Sequence, residues 1–245
     1  MEDMLARTRM LLGEENLEKL SKAKVAVFGI GGVGGYAAEA LARVGIGSLV
    51  LVDYDRVSVS NLNRQIIALH STLGRYKVDV MAERIADIRP ETEVEVRRCF
   101  YLPDTADQFD FSGYSYVVDA VDTITAKLEI IQRARECGVR VISSMGAGNK
   151  TDPSRFRVAN ISETSVCPLA RVMRRECRKR GIKDLKVVYS LEEPVRPLAE
   201  ERFENRADTS HSGRRKDTPG STVFAPAAAG LLLAWAVMED LCNTP

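Results

Sequence analysis

A chain of 245 residues, 45% hydrophobic and 28% charged, has the composition of a soluble globular protein with enough length for one substantial core. Its 35 Lys and Arg against 34 Asp and Glu leave a net charge of +1, which excludes a wholly basic nucleic-acid coat and a disordered acidic tail as descriptions of the whole. The five cysteines (Cys99, Cys137, Cys167, Cys177, Cys242) form no C-x-x-C pair, so neither a disulfide framework nor a zinc site is expected, and a reducing cytoplasmic setting is.

In chain order, Met1 to Gly13 carries charges at Glu2, Asp3, Arg7 and Arg9 and lacks the apolar run of an export signal. From Lys24 onward short β-branched runs alternate with longer helical stretches. Strands are expected at Val25 to Phe28, Leu49 to Asp53, Val94 to Val96, Tyr116 to Asp119 and Val139 to Ser144, the last completing the parallel set. Helices are expected at Tyr36 to Arg43, Lys77 to Ile88 and Thr123 to Cys137. The fold class is α/β: a doubly wound, Rossmann-like, mainly parallel sheet with an irregular C-terminal extension. In that extension Arg155 to Asn160 and Val187 to Ser190 read as strands and Leu169 to Arg180 as a helix. A mobile loop is expected over 197–219. Val223 to Met238 is apolar but shorter than the ~20 residues of a membrane span, so a buried or dimer-interface helix is expected and no obligatory membrane. The chain reads as a single domain, with residues 1–150 as its nucleotide-binding half and 151–245 as its substrate-binding and dimerisation half.

The chemistry is concentrated where strands end. Gly29, Gly31, Gly32 and Gly34 make a G-x-G-x-x-G turn between a strand and a helix, where backbone approaches phosphate and a helix N-terminus supplies free N–H groups. Asp53 ends the second strand, in position to bind ribose hydroxyls. Ser60, Asn61, Arg64 and Gln65 follow within SNLNRQ, and Lys77 opens the next helix. Two cations beside the nucleotide suit a triphosphate better than the pyrophosphate of NAD. Asp119 and Asp122 end the fourth strand, with Asp122 read either as a magnesium ligand or as a helix N-cap. Two histidines, His70 and His211, leave little material for a Ser-His-Asp hydrolase. Adenylation needs no histidine, because a carboxylate is already ionised at neutral pH. Cys167, ahead of Pro168, is read as an inert thiol.

The sequence resembles the superfamily of ubiquitin-activating-like adenylyltransferases through Arg7 and Gly13 in R-x-x-x-x-x-G, the GIGGVG loop, LVDYD, SNLNRQ, Lys77 and DAVD. It most closely resembles the tRNA threonylcarbamoyladenosine dehydratase branch, through GIGGVGGYAAEALARVGIGSLVLVD, SMGAGNKTDPSRFRVANISETSVCPLARVMRRE and PGSTVFAPAAAGL. The resemblance implies ATP and Mg²⁺, with Asp55 of LVDYD joining the ATP-binding set, and adenylation of a carboxylate. Arg7, Arg64, Lys77 and Asp122 are the catalytic residues it implies, with Arg7 reaching the triphosphate of a partner subunit in a homodimer and Arg9 as a weaker alternative. The implied substrate is tRNA carrying threonylcarbamoyladenosine beside the anticodon, and the resemblance admits a sulfur-transfer or cysteine-desulfurase partner.

Arg171, Arg174, Arg175, Arg178, Lys179 and Arg180 set six cations against Glu176 in one helix, which reads as a tRNA-backbone site or as a solvated face. Arg214, Arg215 and Lys216 would add to it. The rival readings are activation of the C-terminus of a ubiquitin-like or sulfur-carrier protein, and a non-catalytic nucleotide-binding adaptor.

Overall fold

The computed structural model describes residues 3–198 and 219–243, so the loop expected over 197–219, with Arg214, Arg215 and Lys216, lies almost entirely outside the described residues. Strands β1 (Lys24–Phe28), β2 (Ser48–Val52), β3 (Glu93–Arg97), β4 (Tyr116–Asp119), β5 (Arg140–Ser144), β6 (Phe156–Asn160) and β7 (Lys186–Ser190) form one sheet in the order β3-β2-β1-β4-β5-β7-β6. All pairs are parallel except that of β6 with β7 on the edge. The parallel set therefore does not end at β5, as expected from the sequence. β7 joins it from Ile142↔Lys186 to Ser144↔Val188.

Strand side chains alternate between two cores, as a pleated sheet buried on both faces requires. Val25 and Val27 of β1 face helices α1 (Ala6–Lys22), α2 (Gly34–Val44), α3 (Lys77–Ile88) and α6 (Phe224–Cys242). Ala26 and Phe28 face α4 (Ile124–Glu136) and the aromatic cluster of Tyr101, Phe109 and Phe111. Helix α5 (Pro168–Lys179) closes a third cluster against α4 through Ala170, Met173 and Cys177.

Helix α1 was not expected. Only Leu17 and Leu20 of it are buried, and Gly13 (φ 76°, ψ 168°) breaks it into two segments, so it carries little apolar periodicity. Helix α6 is a core helix. Pro226 stands in its first turn, where no backbone bond is lost, and Ala225, Ala229, Gly230 and Leu233 are buried. It is also the one described helix long and apolar enough to cross a membrane, with 50% of its most apolar window buried in the fold. Its last turn is pinned by Asp240, which accepts bonds from the Tyr116 hydroxyl (2.6 Å) and Lys186 Nζ (2.6 Å).

The α2–α6 contact depends on Gly230, where a Cβ would stand 2.3 Å from the Val33 carbonyl oxygen and 2.9 Å from Tyr36 Cβ. Gly230→Ala is expected to destabilise the chain by about 2 kcal/mol or more in urea titrations, the scale of overpacking. Gly113→Ala, whose Cβ meets nothing within 4 Å, is expected to change stability by less than about 0.5 kcal/mol.

Candidate active site

The sheet reverses its winding between β1 and β4, so the loops after these strands diverge and leave a crevice at their C-terminal ends. Gly29 (φ +88°) enters it with its N–H on the Val52 carbonyl (2.8 Å), and a Cβ there would sit 2.8 Å from the Ala120 carbonyl oxygen. At Gly34 a Cβ would fall 1.7 Å from the Gly29 carbonyl oxygen. These two glycines are required by packing. Gly31 is different: the nearest atom to its missing Cβ is Gln65 Nε2 at 3.9 Å. Gly32 meets Pro226 Cβ at 3.3 Å and Arg64 Cγ at 3.7 Å. No side chain caps α2, and while its Gly35 N–H bonds the Gly31 carbonyl (3.0 Å), the N–H groups of Gly31 and Gly32 in the turn ahead of it remain available to an anion at this cradle.

Asp53 is tied to the cradle. Its Oδ2 accepts from the Ile30 N–H (2.6 Å) and its Oδ1 from the Asp55 N–H (2.8 Å). Burial raises its carboxyl above the ordinary 3.8, against the pull of Lys77 and of these two amides. Lys77 is buried and donates to Asp55 Oδ2 (2.7 Å). In the 3₁₀ turn after β2, Asn61 is buried and accepts from the Ser58 N–H (3.0 Å), while Ser60 is exposed, its hydroxyl 3.0 Å from that of Ser58. Gln65 is buried with its Oε1 unbonded. Arg64 donates to the Ser60 carbonyl (2.6 Å) and Asn63 Oδ1 (3.0 Å), has no carboxylate partner among the described residues, and is held below its usual pKa range by burial. A guanidinium without a counter-charge among the described residues, with the Gln65 amide nitrogen facing Gly31 as a second donor, suits a phosphorylated ligand beside the glycine cradle.

The two carboxylates of DAVD have separate jobs. Asp119 is fully buried and holds the core, with Lys127 Nζ at 3.1 Å, the Ser143 hydroxyl donating at 2.5 Å and the Val121 N–H at 3.2 Å. Asp122 is exposed and meets only the Thr123 hydroxyl at 3.4 Å. The N-cap position of α4 is Thr123 and carries no side-chain cap, so Asp122 is not used as a cap. Its single free carboxylate suits Mg²⁺, which is commonly held by one or two carboxylates together with substrate phosphates rather than by a full protein cage. No cluster of three metal-binding side chains occurs among the described residues.

The remaining expected residues are spread further out. On α1, Arg9 is neutralised by Asp3 and Glu14, whereas the Arg7 guanidinium is exposed with no partner among the described residues. On α5, Arg174 turns inward to the Thr164 carbonyl (2.5 Å), and Arg175, Lys179 and Arg180 share Glu176, whose carboxyl Lys179 and Arg180 hold down to about 2. That leaves Arg171 and Arg178, two turns apart, as the cations on this helix with exposed, uncommitted heads. Cys167 is buried at the α5 N-cap position. Sequence reasoning missed Lys127 and Lys150, both fully enclosed lysines. The signal for Lys127 was its place between Ala126 and Leu128 on the buried stripe of α4.

A phosphate cradle at the switch point of a doubly wound sheet, with cations and a free carboxylate around it, defines a nucleotide-binding α/β protein of the adenylyltransferase type. The chain belongs to the ThiF family, whose model matches residues 5–244. It is 46% identical over 237 residues to the tRNA threonylcarbamoyladenosine dehydratase of Bacillus subtilis, covering 96% of this chain and 93% of that one. It is 40% identical over 201 residues to the protein of that name in Escherichia coli, covering 79% and 75%. The crystal structure of E. coli TcdA, tRNA N6-threonylcarbamoyladenosine dehydratase, in complex with ATP superposes with a TM-score of 0.85 at 34% identity, over 97% of this chain and 93% of that one.

Because the folded chain holds the Asp53 proton more tightly than the unfolded chain, Asp53 favours folding below pH 3.8 and withdraws that contribution as pH rises through its raised folded value. Asp53→Asn removes the step. The stability of the wild type relative to Asp53→Asn is therefore expected to be greater at about pH 4 than at about pH 7 in paired urea titrations.

Proposed function

We propose that the chain is an ATP-dependent tRNA threonylcarbamoyladenosine dehydratase. The threonine carboxylate of the modified adenosine beside the anticodon attacks the α-phosphorus of ATP, an acyl-adenylate forms, and pyrophosphate leaves. A nucleophile within the same modification then attacks the activated carbonyl, AMP leaves, and a cyclic product remains. The observation that carries this reading is the cradle at Gly31 flanked by Arg64 and the Gln65 Nε2 donor, at the start of a helix that no side chain caps. Similarity over nearly the whole chain to proteins of that name supports the choice of substrate.

In this reading Gly29 to Gly34 bind phosphates through backbone N–H groups, and Asp53 accepts from the ribose hydroxyls while bracing the loop through Ile30. Asn61, Ser60 and Gln65 position the nucleotide, and Asp55 steers Lys77. Arg64 and Lys77 neutralise charge on the leaving pyrophosphate. Asp122 would hold Mg²⁺, which supplies positive charge to the phosphate oxygens when bound. The rest of catalysis is positioning of two reactants.

Arg7 completes the site of a second copy of this chain. Its free guanidinium shares α1 with Met10 (85% exposed) and Leu11 (86% exposed), while α6 exposes Phe224, Leu231 and Trp235; these apolar faces suit a homodimer. Asp122→Asn is expected to keep ATP binding and lose most pyrophosphate release with modified tRNA. Mixing Arg7→Ala and Asp122→Asn chains should restore partial turnover, since one hybrid site has both intact residues. Absence of rescue in demonstrated heterodimers would place Arg7 outside the partner's site.

The charge on α5 favours RNA, because activation of a carrier protein's C-terminus would call for an apolar and acidic docking face on this chain instead of a basic helix. Arg171 and Arg178 are its free cations, and Arg171→Gln with Arg178→Gln is expected to weaken tRNA binding and lower its salt slope by about one unit or slightly less per lost phosphate contact, with ATP binding unchanged. Arg174→Gln would instead cost stability through Thr164. An unchanged slope in the double variant would make α5 a solvated face and favour activation of a protein C-terminus.

A further inference from the structure

Three lysines are buried among the described residues, and two show how this fold satisfies an enclosed ammonium. Lys77 donates to Asp55 at 2.7 Å. Lys127 donates to Asp119 at 3.1 Å and to the Ser144 carbonyl at 2.7 Å. Lys150, only 2% exposed, has no hydrogen-bond partner for Nζ. Burial lowers its hold on the proton, opposed by Cys167, Glu192 and Glu193. Glu192 does not bond to it, because both its carboxylate oxygens accept from Thr151 and its Oε2 also from the Asp152 N–H. An unpaired enclosed ammonium costs folding free energy, and an anion brought from outside the chain would remove that cost.

The loop that carries Lys150 is built into the candidate site. Asn149 (φ 57°) is paired in both directions with Gly220, its N–H donating to the Gly220 carbonyl and its Oδ1 accepting from the Gly220 N–H, each at 2.7 Å. From Gly220 the chain runs to Ser221, whose carbonyl accepts from Asn63 Nδ2 (2.9 Å), and to Pro226 against Gly32. One short segment thus ties the Lys150 loop to the loop after β2 and to the phosphate cradle. Along the C-terminal edge of the sheet the order is Asp53 after β2, the glycine cradle after β1, Asp122 after β4, and then Lys150 beyond β5.

Displacement at phosphorus places the attacking and leaving oxygens roughly in line on opposite sides. Arg64 and Lys77 lie toward the β2 side of the cradle, where the pyrophosphate would leave, and Lys150 lies beyond Asp122 on the other. We propose that Lys150 binds the carboxylate of the acyl substrate and holds it for attack on the α-phosphorus. This rests on the reading of the site as one that adenylates an RNA-borne carboxylate.

The test uses the full-length chain with Lys150→Met and Lys150→Arg. It compares binding of tRNA bearing threonylcarbamoyladenosine with binding of the same tRNA bearing plain adenosine, beside ATP affinity and the thermal midpoint. Lys150→Met is expected to lose about tenfold or more of the wild-type preference for the modified tRNA, the scale of one hydrogen bond to a charged group. Its ATP affinity should be unchanged and its midpoint equal or higher, because an unpaired charge has been removed. Lys150→Arg should recover part of the preference. A preference retained in Lys150→Met overturns the proposal. So does a lowered midpoint accompanied by lost ATP affinity, which would make Lys150 a structural residue, or lost ATP affinity alone, which would assign it to a phosphate. If the wild type shows no preference between the two tRNAs, the functional reading itself fails and the proposal with it.

Discussion

Helix α2 is held at two points where backbone meets backbone with no room for a methyl group. At its start Gly34 presses on the Gly29 carbonyl, and on its flank the Val33 carbonyl and the backbone of Ala37 receive Gly230 of α6. The first contact aims the helix N-terminus into the crevice beside β1. The second fixes the helix against the long apolar helix that covers that face of the sheet. The direction of the free N–H groups, and hence the place where negative charge can settle, follows from these two approaches rather than from any side chain.

The segment from Pro219 to Pro226 extends that constraint across the site. It touches the Gly148–Asn149 loop, the Asn63 side chain and Gly32, three loops that follow three different strands. Loops at the end of a sheet are ordinarily independent of one another. Here they share a brace, so the distance between the phosphate cradle and the residues beyond β4 is set by one stretch of chain, itself continuous with core helix α6.

The elements most legible in the sequence are those whose residues face a single demand. β1, β2 and β4 are buried on both faces and read as short continuous apolar runs rich in valine and leucine, and the glycine turn lies between a strand and a helix. α1 was hidden because two buried leucines and an internal glycine give no stripe. The parallel placement of β7 was hidden because strand order depends on the path taken by α5 and β6, which local patterning does not encode. In the site, residue types were legible but their commitments were not. DAVD offers two aspartates, and only the fold shows that Asp119 serves Lys127 while Asp122 stays exposed. Likewise the six cations of α5 and its C-cap reduce to two uncommitted heads once Thr164 and Glu176 have taken theirs. Lys150 gives no signal in sequence, since a single lysine in a polar loop looks like any solvated one.

The glycines of the turn are not equivalent under evolutionary drift. A side chain at Gly29 or Gly34 collides with backbone of the same chain, so selection for folding alone preserves both. A side chain at Gly31 would meet only Gln65 Nε2 at 3.9 Å, an ordinary contact, so folding places little steric demand on it, whereas a phosphate bound as proposed would. A descendant that had abandoned its nucleotide would therefore keep Gly29 and Gly34, stay restrained at Gly32 by Pro226, and be free to change Gly31. If the proposed function holds, Gly31 is the position where a gene of this kind would first record the loss of its nucleotide.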